Sequence, residues 1–302
     1  NLGIRHFWLD EAEPEITPYD YDNLRYWVGN GMEVSSLYPF YYAKTFYDGQ
    51  KEEGQDEIVN LIRCAFLGSQ RFGTVLWSGD ICSDFDSLRR QIKTGLHVAI
   101  SGIPWWTTDI GGFHGGDPNS EEYRECLIRW FGAFCPVFRM HGFRFKPDRP
   151  VVSPMSMDSF CYSGGPNEIW SYGEEAYEIL KKYVDIRESL RPYIYQNLKK
   201  ASEDGTPIMR PLFYDYPDEA NYEIFDQYMF GPDLMVCPVY ELNRRERKVY
   251  LPKGTEWIDS QSRQIYEGGQ WIKVLAPLES IPIFIRKGAK IDQTFFRNGK
   301  GY

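Results

Sequence analysis

The segment Thr74-Val75-Leu76-Trp77-Ser78-Gly79-Asp80 gives the clearest fold signal in the chain, because a short β-prone run breaks there into a loop at an aspartate. Ser83 follows as a candidate helix N-cap with Asp86 at the third position, close to a capping box. Apolar residues then recur at helical spacing and predict a helix with one buried face: Phe85, Leu88, Ile92 and Leu96. We interpret this strand–loop–helix unit as one element of a parallel sheet with helical crossovers.

Similar alternation extends over the first two thirds of the chain. Strands are predicted at 4–9, 74–77 and 97–103, and helices at 38–45, 57–66, 122–134 and 172–203, the last interrupted near Pro192. A (β/α)8 barrel is the commonest fold for such a run. From about Asp233 the pattern changes to short β-like runs separated by Pro-Lys-Gly and Gly-Gly turns, at 235–240, 247–251, 257–259, 271–275 and 281–285. These runs predict an antiparallel β-sandwich, with a domain boundary near 216–232.

Composition excludes several classes of function. Of 302 residues, 34 are Lys or Arg and 43 are Asp or Glu, and a net charge of −9 argues against a nucleic-acid partner. No run of 18 apolar residues predicts a membrane helix. The six cysteines form no CxxC pair and are predicted to be free thiols in a reducing, cytoplasmic compartment. His97, His114 and His141 lack metal-ligand spacing and no nucleotide-binding motif is present, so neither metal nor cofactor is predicted.

Candidate site residues follow the strand-like runs, because a barrel has its active site at the carboxyl ends of its strands. Four polar residues meet this criterion: Asp10, Asp80, Asp109 and His141. Each has a structural interpretation, since such an Asp often caps the next helix and a lone His often serves only as a hydrogen-bonding group. Several acids at successive strand ends are improbable as independent caps. Two carboxylates are the minimum for cleaving a glycosidic bond, and nearby indole rings suit a sugar pocket.

These residues stand in motifs that resemble glycoside hydrolase family 31, the retaining exo-α-glycosidases that include α-glucosidases and α-xylosidases. Trp8-Leu9-Asp10-Glu11-Ala12-Glu13 matches the nucleophile motif Trp-x-Asp-x-x-Glu, and Trp77-Ser78-Gly79-Asp80 matches Trp-x-Gly-Asp. The resemblance implies that Asp10 is the nucleophile and Asp80 the general acid/base. It implies substrate binding for further residues: Trp8, Glu11, Arg63, Trp77, Asp109, Phe113 and His141. Glu11 stands where the family commonly has a Met, and the resemblance places this position on the side of the site that faces the leaving group.

The resemblance also implies a domain layout. Asp10 would lie on the fourth barrel strand, so the chain is expected to hold the C-terminal part of a (β/α)8 barrel at residues 1–220, followed by an antiparallel β-sandwich domain at 221–302. The segment 207–213 resembles the last barrel strand of the family. The motifs are closer to the bacterial α-xylosidase branch than to α-glucosidases with Asp-Met-Asn-Glu.

The predicted function is therefore hydrolysis of terminal α-linked xylose or glucose from an oligosaccharide by double displacement, with a protonated Asp80 and an ionised Asp10. Two alternatives stay open. One is a non-catalytic carbohydrate-binding or structural module, and the other is α-glucan lyase or transglycosylase chemistry on the same intermediate. No nucleic acid and no membrane are expected as partners, while a homo-oligomer is left open.

Overall fold

The computed structural model describes residues 3–13, 22–146, 164–291 and 296. In chain order the strands are β1 (Trp8–Leu9), β2 (Arg25–Tyr26), β3 (Gly29–Asn30), β4 (Asn60–Ile62), β5 (Thr74–Trp77), β6 (Trp106–Thr107), β7 (Met209–Pro211), β8 (Tyr228–Phe230), β9 (Leu234–Val236), β10 (Glu246–Leu251), β11 (Glu256–Asp259), β12 (Ile265–Glu267), β13 (Gln270–Leu275) and β14 (Ile283–Arg286). The α-helices are α1 (Gly31–Val34), α2 (Tyr38–Glu52), α3 (Phe85–Ile100), α4 (Glu121–Gly132), α5 (Glu174–Ser189), α6 (Arg191–Asp204), α7 (Leu212–Asp215) and α8 (Glu219–Tyr222). Three 3₁₀ turns occur at Ser35–Leu37, Ser69–Phe72 and Ile169–Tyr172.

Four parallel strands form the sheet that positions the candidate site. Their order is β1-β4-β5-β6, and every neighbouring pair is parallel. Leu9 pairs with Ile62, and Ile62 pairs with Leu76, so the strands end side by side. The prediction of a strand at 74–77 is confirmed, and the parallel sheet with crossover helices is the barrel-type architecture that the alternation indicated.

Helix α3 shows how local sequence sets an element boundary. Its N-cap is Asp84, whose carboxylate accepts a hydrogen bond from the backbone NH of Ser87 at 2.7 Å. The predicted capping box on Ser83 is therefore wrong by one residue, because Asp84 has the extended backbone that an N-cap requires. The predicted apolar face is confirmed for Leu88, Ile92 and Leu96, which are buried.

Two predicted elements are of the wrong type. Residues 57–66 contain strand β4 rather than a helix, and residues 97–100 continue α3 rather than forming a strand. Short apolar runs do not distinguish a strand from a buried helix, so tertiary pairing decides. The Asn60 side chain accepts from the NH of Phe7 at 3.1 Å, which joins the start of β4 to the β1 segment. Helix α3 ends instead before Gly102, whose φ of +87° suits glycine.

The C-terminal domain is antiparallel, as predicted. Its larger sheet has the order β12-β11-β14-β9-β8-β7, and β10 pairs with β13 in a separate ribbon. Both sheets contribute to one core, in which Met235 and Phe284 of the larger sheet meet Val249 and Val274 of the ribbon. Strand β7 forms within the predicted segment 207–213, but it pairs with β8 in this sheet rather than with the barrel strands. The boundary at 220/221 stays a prediction.

Helix α4 connects the two parts of the fold. Its Arg129 side chain is fully buried and donates hydrogen bonds of 2.7–3.0 Å to four carbonyl oxygens of the C-terminal domain, those of Arg244, Ala276, Pro277 and Ser280. The neighbouring Glu125 pairs with both Arg129 and Arg245. A buried guanidinium needs such complete pairing, so this junction fixes how the helix meets the domain.

The helical stretch predicted at 172–203 is divided near Pro192, as expected. Helix α5 ends at Ser189 and α6 begins at Arg191, with Pro192 in the first turn, where its missing NH costs no hydrogen bond. Within the described ranges, no helix is long and apolar enough to cross a membrane. Cys64, Cys126, Cys135 and Cys237 are free thiols, and Cys161 lies outside the described residues.

Candidate active site

The predicted site residues lie at the carboxyl ends of four adjacent strands. Asp10 directly follows β1, Arg63 directly follows β4, and Asp80 stands three residues after β5. Asp109 stands two residues after β6. Because parallel neighbouring strands end at one edge of the sheet, these side chains reach the same region, as the barrel hypothesis requires.

Arg63 joins the two predicted catalytic acids. Its Nη1 is 3.4 Å from Asp10 Oδ1 and 3.7 Å from Asp80 Oδ2, while its Nε is 2.9 Å from Glu13 Oε1. The Arg63 side chain is only 17% exposed, whereas both aspartates are more open to solvent. Burial lowers the pKa of Arg63, but the charges of Asp80, Glu13 and Asp10 outweigh it and raise that pKa overall. The guanidinium is therefore a fixed cation between the acids.

The shared nitrogen also limits how far apart the two acids can be. Asp10 Oδ1 and Asp80 Oδ2 contact the same Nη1, so these oxygens are at most about 7 Å apart, against separations of ~6.5–9.5 Å in inverting and ~5–5.5 Å in retaining glycosidases. This limit includes the separation found in retaining glycosidases. The geometry is compatible with a nucleophile and an acid/base on one sugar.

Backbone conformation orients Asp10. Its Oδ1 accepts a hydrogen bond from the NH of Glu11 at 2.9 Å, and its carbonyl accepts from the Tyr42 hydroxyl at 3.5 Å. Glu11 has a φ of +52°, in the left-handed region that non-glycine residues seldom adopt. The Glu11 side chain is exposed at the edge of the cluster. Such local strain, held by the surrounding structure, is frequent at functional sites.

Four aromatic or imidazole rings line the region next to the acids. Trp8 meets Trp77 edge-on at 6.0 Å and His141 at 4.9 Å, measured between ring centroids. Phe113 stacks on His141 at 5.3 Å. Trp77 is buried, whereas Trp8 is 52% exposed and so offers an indole surface to a ligand. The structure thus brings together all four predicted ring-bearing residues.

Asp109 is an ion-paired acid at the base of the region. It is fully buried, and its Oδ1 accepts a hydrogen bond from Arg139 Nη2 at 2.5 Å. Burial raises the pKa of Asp109 to about 7, and the charge of Asp80 adds to the rise, although Arg139 lowers it. The Arg139 guanidinium also lies 5.6 Å from the Trp77 ring centroid. No motif predicted Arg139, which contacts both the Asp109 carboxylate and the Trp77 ring.

Arg144 organises the loop that carries Phe113. It is fully buried and donates to the carbonyls of Gly112 at 2.9 Å and Gly115 at 3.0 Å, and to Asn167 Oδ1 at 2.9 Å. The loop needs glycine here: Gly112 has a φ of +80°, and a Cβ on it would lie 2.5 Å from the carbonyl oxygen of Cys82. Arg144 was not predicted either.

His141 lies between Trp8 and Phe113, in surroundings that favour the neutral imidazole. Burial lowers its pKa, and the positive charge of Arg139 lowers it further, against the opposing effect of Asp80. A neutral imidazole has one donor and one acceptor nitrogen, which suits a sugar hydroxyl. Within the described ranges, no group of three or more His, Cys, Asp or Glu side chains is arranged to hold a metal ion.

Comparison with known families agrees with this geometry. Residues 1–197 match the model of the glycosyl hydrolases family 31 TIM-barrel domain, and residues 205–291 match the family 31 C-terminal domain. The chain belongs to glycosyl hydrolase family 31. The expected fold class, a barrel portion followed by an antiparallel domain, is thereby confirmed.

Relatives within family 31 include several α-xylosidases. An α-xylosidase of Saccharolobus solfataricus is 38% identical over 299 residues, which cover 96% of this chain and 38% of that protein. A solved family 31 α-xylosidase from a soil metagenome, complexed with xylose, is 53% identical with a TM-score of 0.87, over 95% of this chain and 43% of its own. A Flavobacterium johnsoniae dextranase complexed with glucose has 32% identity and a TM-score of 0.82, over 96% of this chain and 36% of its own. The chain thus spans about two fifths of the length of these relatives.

Proposed function

We propose that the whole protein is a retaining exo-α-glycosidase that releases terminal α-linked xylose or glucose from the non-reducing end of an oligosaccharide. One observation carries this proposal. Arg63 holds Asp10 and Asp80 around a single nitrogen at the carboxyl ends of neighbouring barrel strands. Two accessible carboxylates with a cation between them, beside an exposed indole, match the requirements of double displacement.

In the proposed first step, a carboxylate oxygen of Asp10 attacks the anomeric carbon. The bond from that carbon to the leaving oxygen breaks, and the proton of Asp80 passes to the leaving oxygen. A β-linked glycosyl ester on Asp10 and an ionised Asp80 result. Asp80 then removes a proton from water, whose oxygen attacks the anomeric carbon and displaces Asp10. The product retains the α configuration.

Arg63 serves both steps through its charge. It keeps negative charge favourable on Asp10 before attack and stabilises the carboxylate that Asp80 becomes after giving up its proton. His141 is assigned to sugar hydroxyls, held there by stacking on Phe113. Asp109 is assigned to the same task, with Arg139 compensating its charge. Trp8 is assigned to the apolar face of the sugar, and Glu11 to the leaving-group side.

Xylose has stronger support than glucose as the released sugar. The relative with 53% identity is an α-xylosidase solved with xylose, and the Saccharolobus solfataricus relative also bears that name. The dextranase solved with glucose, by contrast, is only 32% identical to this chain. We therefore propose that α-xylosidase activity is the main activity and that release of glucose is the second candidate.

The test measures kcat/KM of the whole protein on an aryl α-xyloside and an aryl α-glucoside, and follows the first anomer by proton NMR. The expected result is a higher kcat/KM on the xyloside and α-xylose as the first product. First appearance of the β-anomer would contradict the retaining mechanism. An isomaltosyltransferase of Sporosarcina globispora is 31% identical over 260 residues, so transfer products are assayed in parallel. If transfer products outweigh the free sugar, the proposed reaction is transglycosylation rather than hydrolysis.

A further inference from the structure

A second cleft lies in the C-terminal domain beside the β10–β13 ribbon. Its volume is about 640 Å³, within the ~300–1,000 Å³ typical of small-molecule sites. Its walls come from the two ribbon strands, the segment 238–244 and Asp226. Its lining residues include neither Asp10, Arg63 and Asp80 nor the groups that Arg144 binds. The cleft is therefore separate from the candidate active site.

Trp271 gives this cleft an aromatic surface. The residue is 48% exposed, so about half of its side chain is accessible to a ligand. Tyr250 stands directly opposite it on the ladder, with ring centroids 5.3 Å apart, and Lys248 Nζ lies 4.8 Å from the Trp271 ring centroid. These neighbours hold the indole in one orientation. A rigid, half-exposed indole can stack on the apolar face of a pyranose with little loss of conformational entropy.

Fixed hydrogen-bonding groups also line the cleft. Asp226 Oδ2 accepts from the Tyr240 hydroxyl at 2.8 Å and lies 3.1 Å from Arg247 Nη2. Arg247 Nη1 also donates to the Asp226 carbonyl at 3.1 Å. Burial raises the pKa of Tyr240 to about 12, and the charge of Asp226 adds to the effect, so the hydroxyl remains a donor at neutral pH. The carboxylate is thus a preorganised acceptor for a ligand hydroxyl.

Charge pairing indicates what kind of ligand fits. Each acid that lines the cleft has a cation partner: Glu241 with Arg244, Asp226 with Arg247, and Glu246 with Lys273. A phosphate or a nucleic acid would need several cations free of such partners. A cleft with balanced donors and acceptors around an indole suits a neutral ligand rich in hydroxyl groups.

We propose that this cleft is a secondary carbohydrate-binding site that holds neutral pyranose units of a glycan on Trp271, with Asp226 and Lys248 contacting their hydroxyls. This function goes beyond hydrolysis at Asp10 and Asp80, because it requires binding without bond cleavage. It would raise the residence time of the protein on a glycan chain.

The experiment is affinity electrophoresis of the whole protein in native gels containing soluble xyloglucan or amylopectin. We expect retardation of the unaltered protein in at least one gel and about tenfold weaker binding of Trp271→Ala, as for loss of an aromatic anchor. Trp170→Ala is the matched control, because Trp170 is 68% exposed and does not line the cleft. It should migrate like the unaltered protein. Both variants should keep their kcat/KM on an aryl α-xyloside.

Lys248→Gln provides a second variant, since Lys248 is exposed on the ribbon and its replacement leaves the core intact. Relative to its own mobility in a gel without glycan, it should also be retarded less than the unaltered protein. Equal retardation of Trp271→Ala and the unaltered protein would overturn the proposal, as would the absence of retardation in both gels. If the whole protein shows no hydrolytic activity but its retardation still depends on Trp271, the binding-site proposal is supported. Only the proposed glycosidase function is then contradicted.

Discussion

Arg63 and Arg144 show how one type of side chain serves opposite purposes. Arg63 contacts three carboxylates and keeps some access to solvent, whereas Arg144 is fully buried and contacts mainly backbone carbonyls and neutral side chains. Removing Arg63 would leave negative charges uncompensated. Removing Arg144 would leave buried acceptors without donors. In the proposed mechanism, the first arrangement sets the electrostatics of the reaction, and the second holds the loop that carries Phe113.

In the proposed mechanism, the two regions have different tasks. The Arg63 cluster must let protonation states change, so its acids are partly solvated and share one cation. The Arg144 network needs no such change, and complete satisfaction of its hydrogen bonds makes the Phe113 loop rigid. Mutations in the two regions should therefore separate effects on rate from effects on stability.

The largest expected effect is that of Asp10→Asn. Loss of the nucleophile should lower kcat by on the order of 10⁴-fold or more, because an amide does not form the ester intermediate. Binding of xylose, measured by calorimetry, should persist. Asp86→Asn, at an exposed position on helix α3, is the control and should retain full activity. Substantial turnover by Asp10→Asn would remove Asp10 from its proposed role and favour a non-catalytic sugar-binding module.

Asp80→Ala is expected to have the next largest effect. General acid catalysis contributes roughly 10²–10⁴-fold, and it matters most when the leaving group is a poor one. The kcat/KM on an unactivated disaccharide should fall far more than that on an activated aryl glycoside. Equal losses on the two substrates would argue against proton transfer by Asp80.

Arg144→Leu should chiefly affect stability. The carbonyls of Gly112 and Gly115 would lose their donor while buried, which costs about 3 kcal/mol or more in the free energy of unfolding. Arg63→Gln is the matched comparison. The carboxylates that it pairs with are partly solvated, so we expect a smaller loss of stability than for Arg144→Leu, together with loss of activity. Both free energies are measured by urea unfolding. Similar losses of stability would erase the distinction between the two regions.

The remaining prediction concerns Asp109 and the pH dependence of stability. Its pKa in the fold is raised to about 7, so the folded state binds its proton more tightly than the unfolded chain does. Asp109 should therefore reduce stability as pH rises from about 4 to about 7, by at most about 1.4 kcal/mol per pH unit. The stability advantage of Asp109→Asn over the unaltered protein should grow across this window and level off above it. A constant difference in urea-unfolding free energy would contradict the raised pKa.

The main elements and the acid pair could be predicted from sequence because their signals are local. Helix α3 has apolar residues at helical spacing, and the motifs around Asp10 and Asp80 are contiguous. The errors came from tertiary context. Residues 57–66 are rich enough in apolar groups for either element, and their pairing with β1 and β5 makes β4 a strand.

The missed residues are arginines whose importance depends on burial. Arg139 and Arg144 lie two residues before and three residues after His141, and charged side chains are expected on the surface. Only the fold shows that one is held by Asp109 and the other by the glycine loop. Glu13 stands within the nucleophile motif, but its contact with Arg63 requires two strands to meet.

Arg129 has a consequence for the order in which this chain folds during synthesis. Its guanidinium is bound by carbonyls of residues 244, 276, 277 and 280, more than a hundred positions later in the chain. As the ribosome releases the protein from the N-terminus, helix α4 emerges long before these partners. The helix therefore completes its native packing only after the C-terminal strands have left the exit tunnel. Maturation of the barrel portion is thereby coupled to the synthesis of the C-terminal domain.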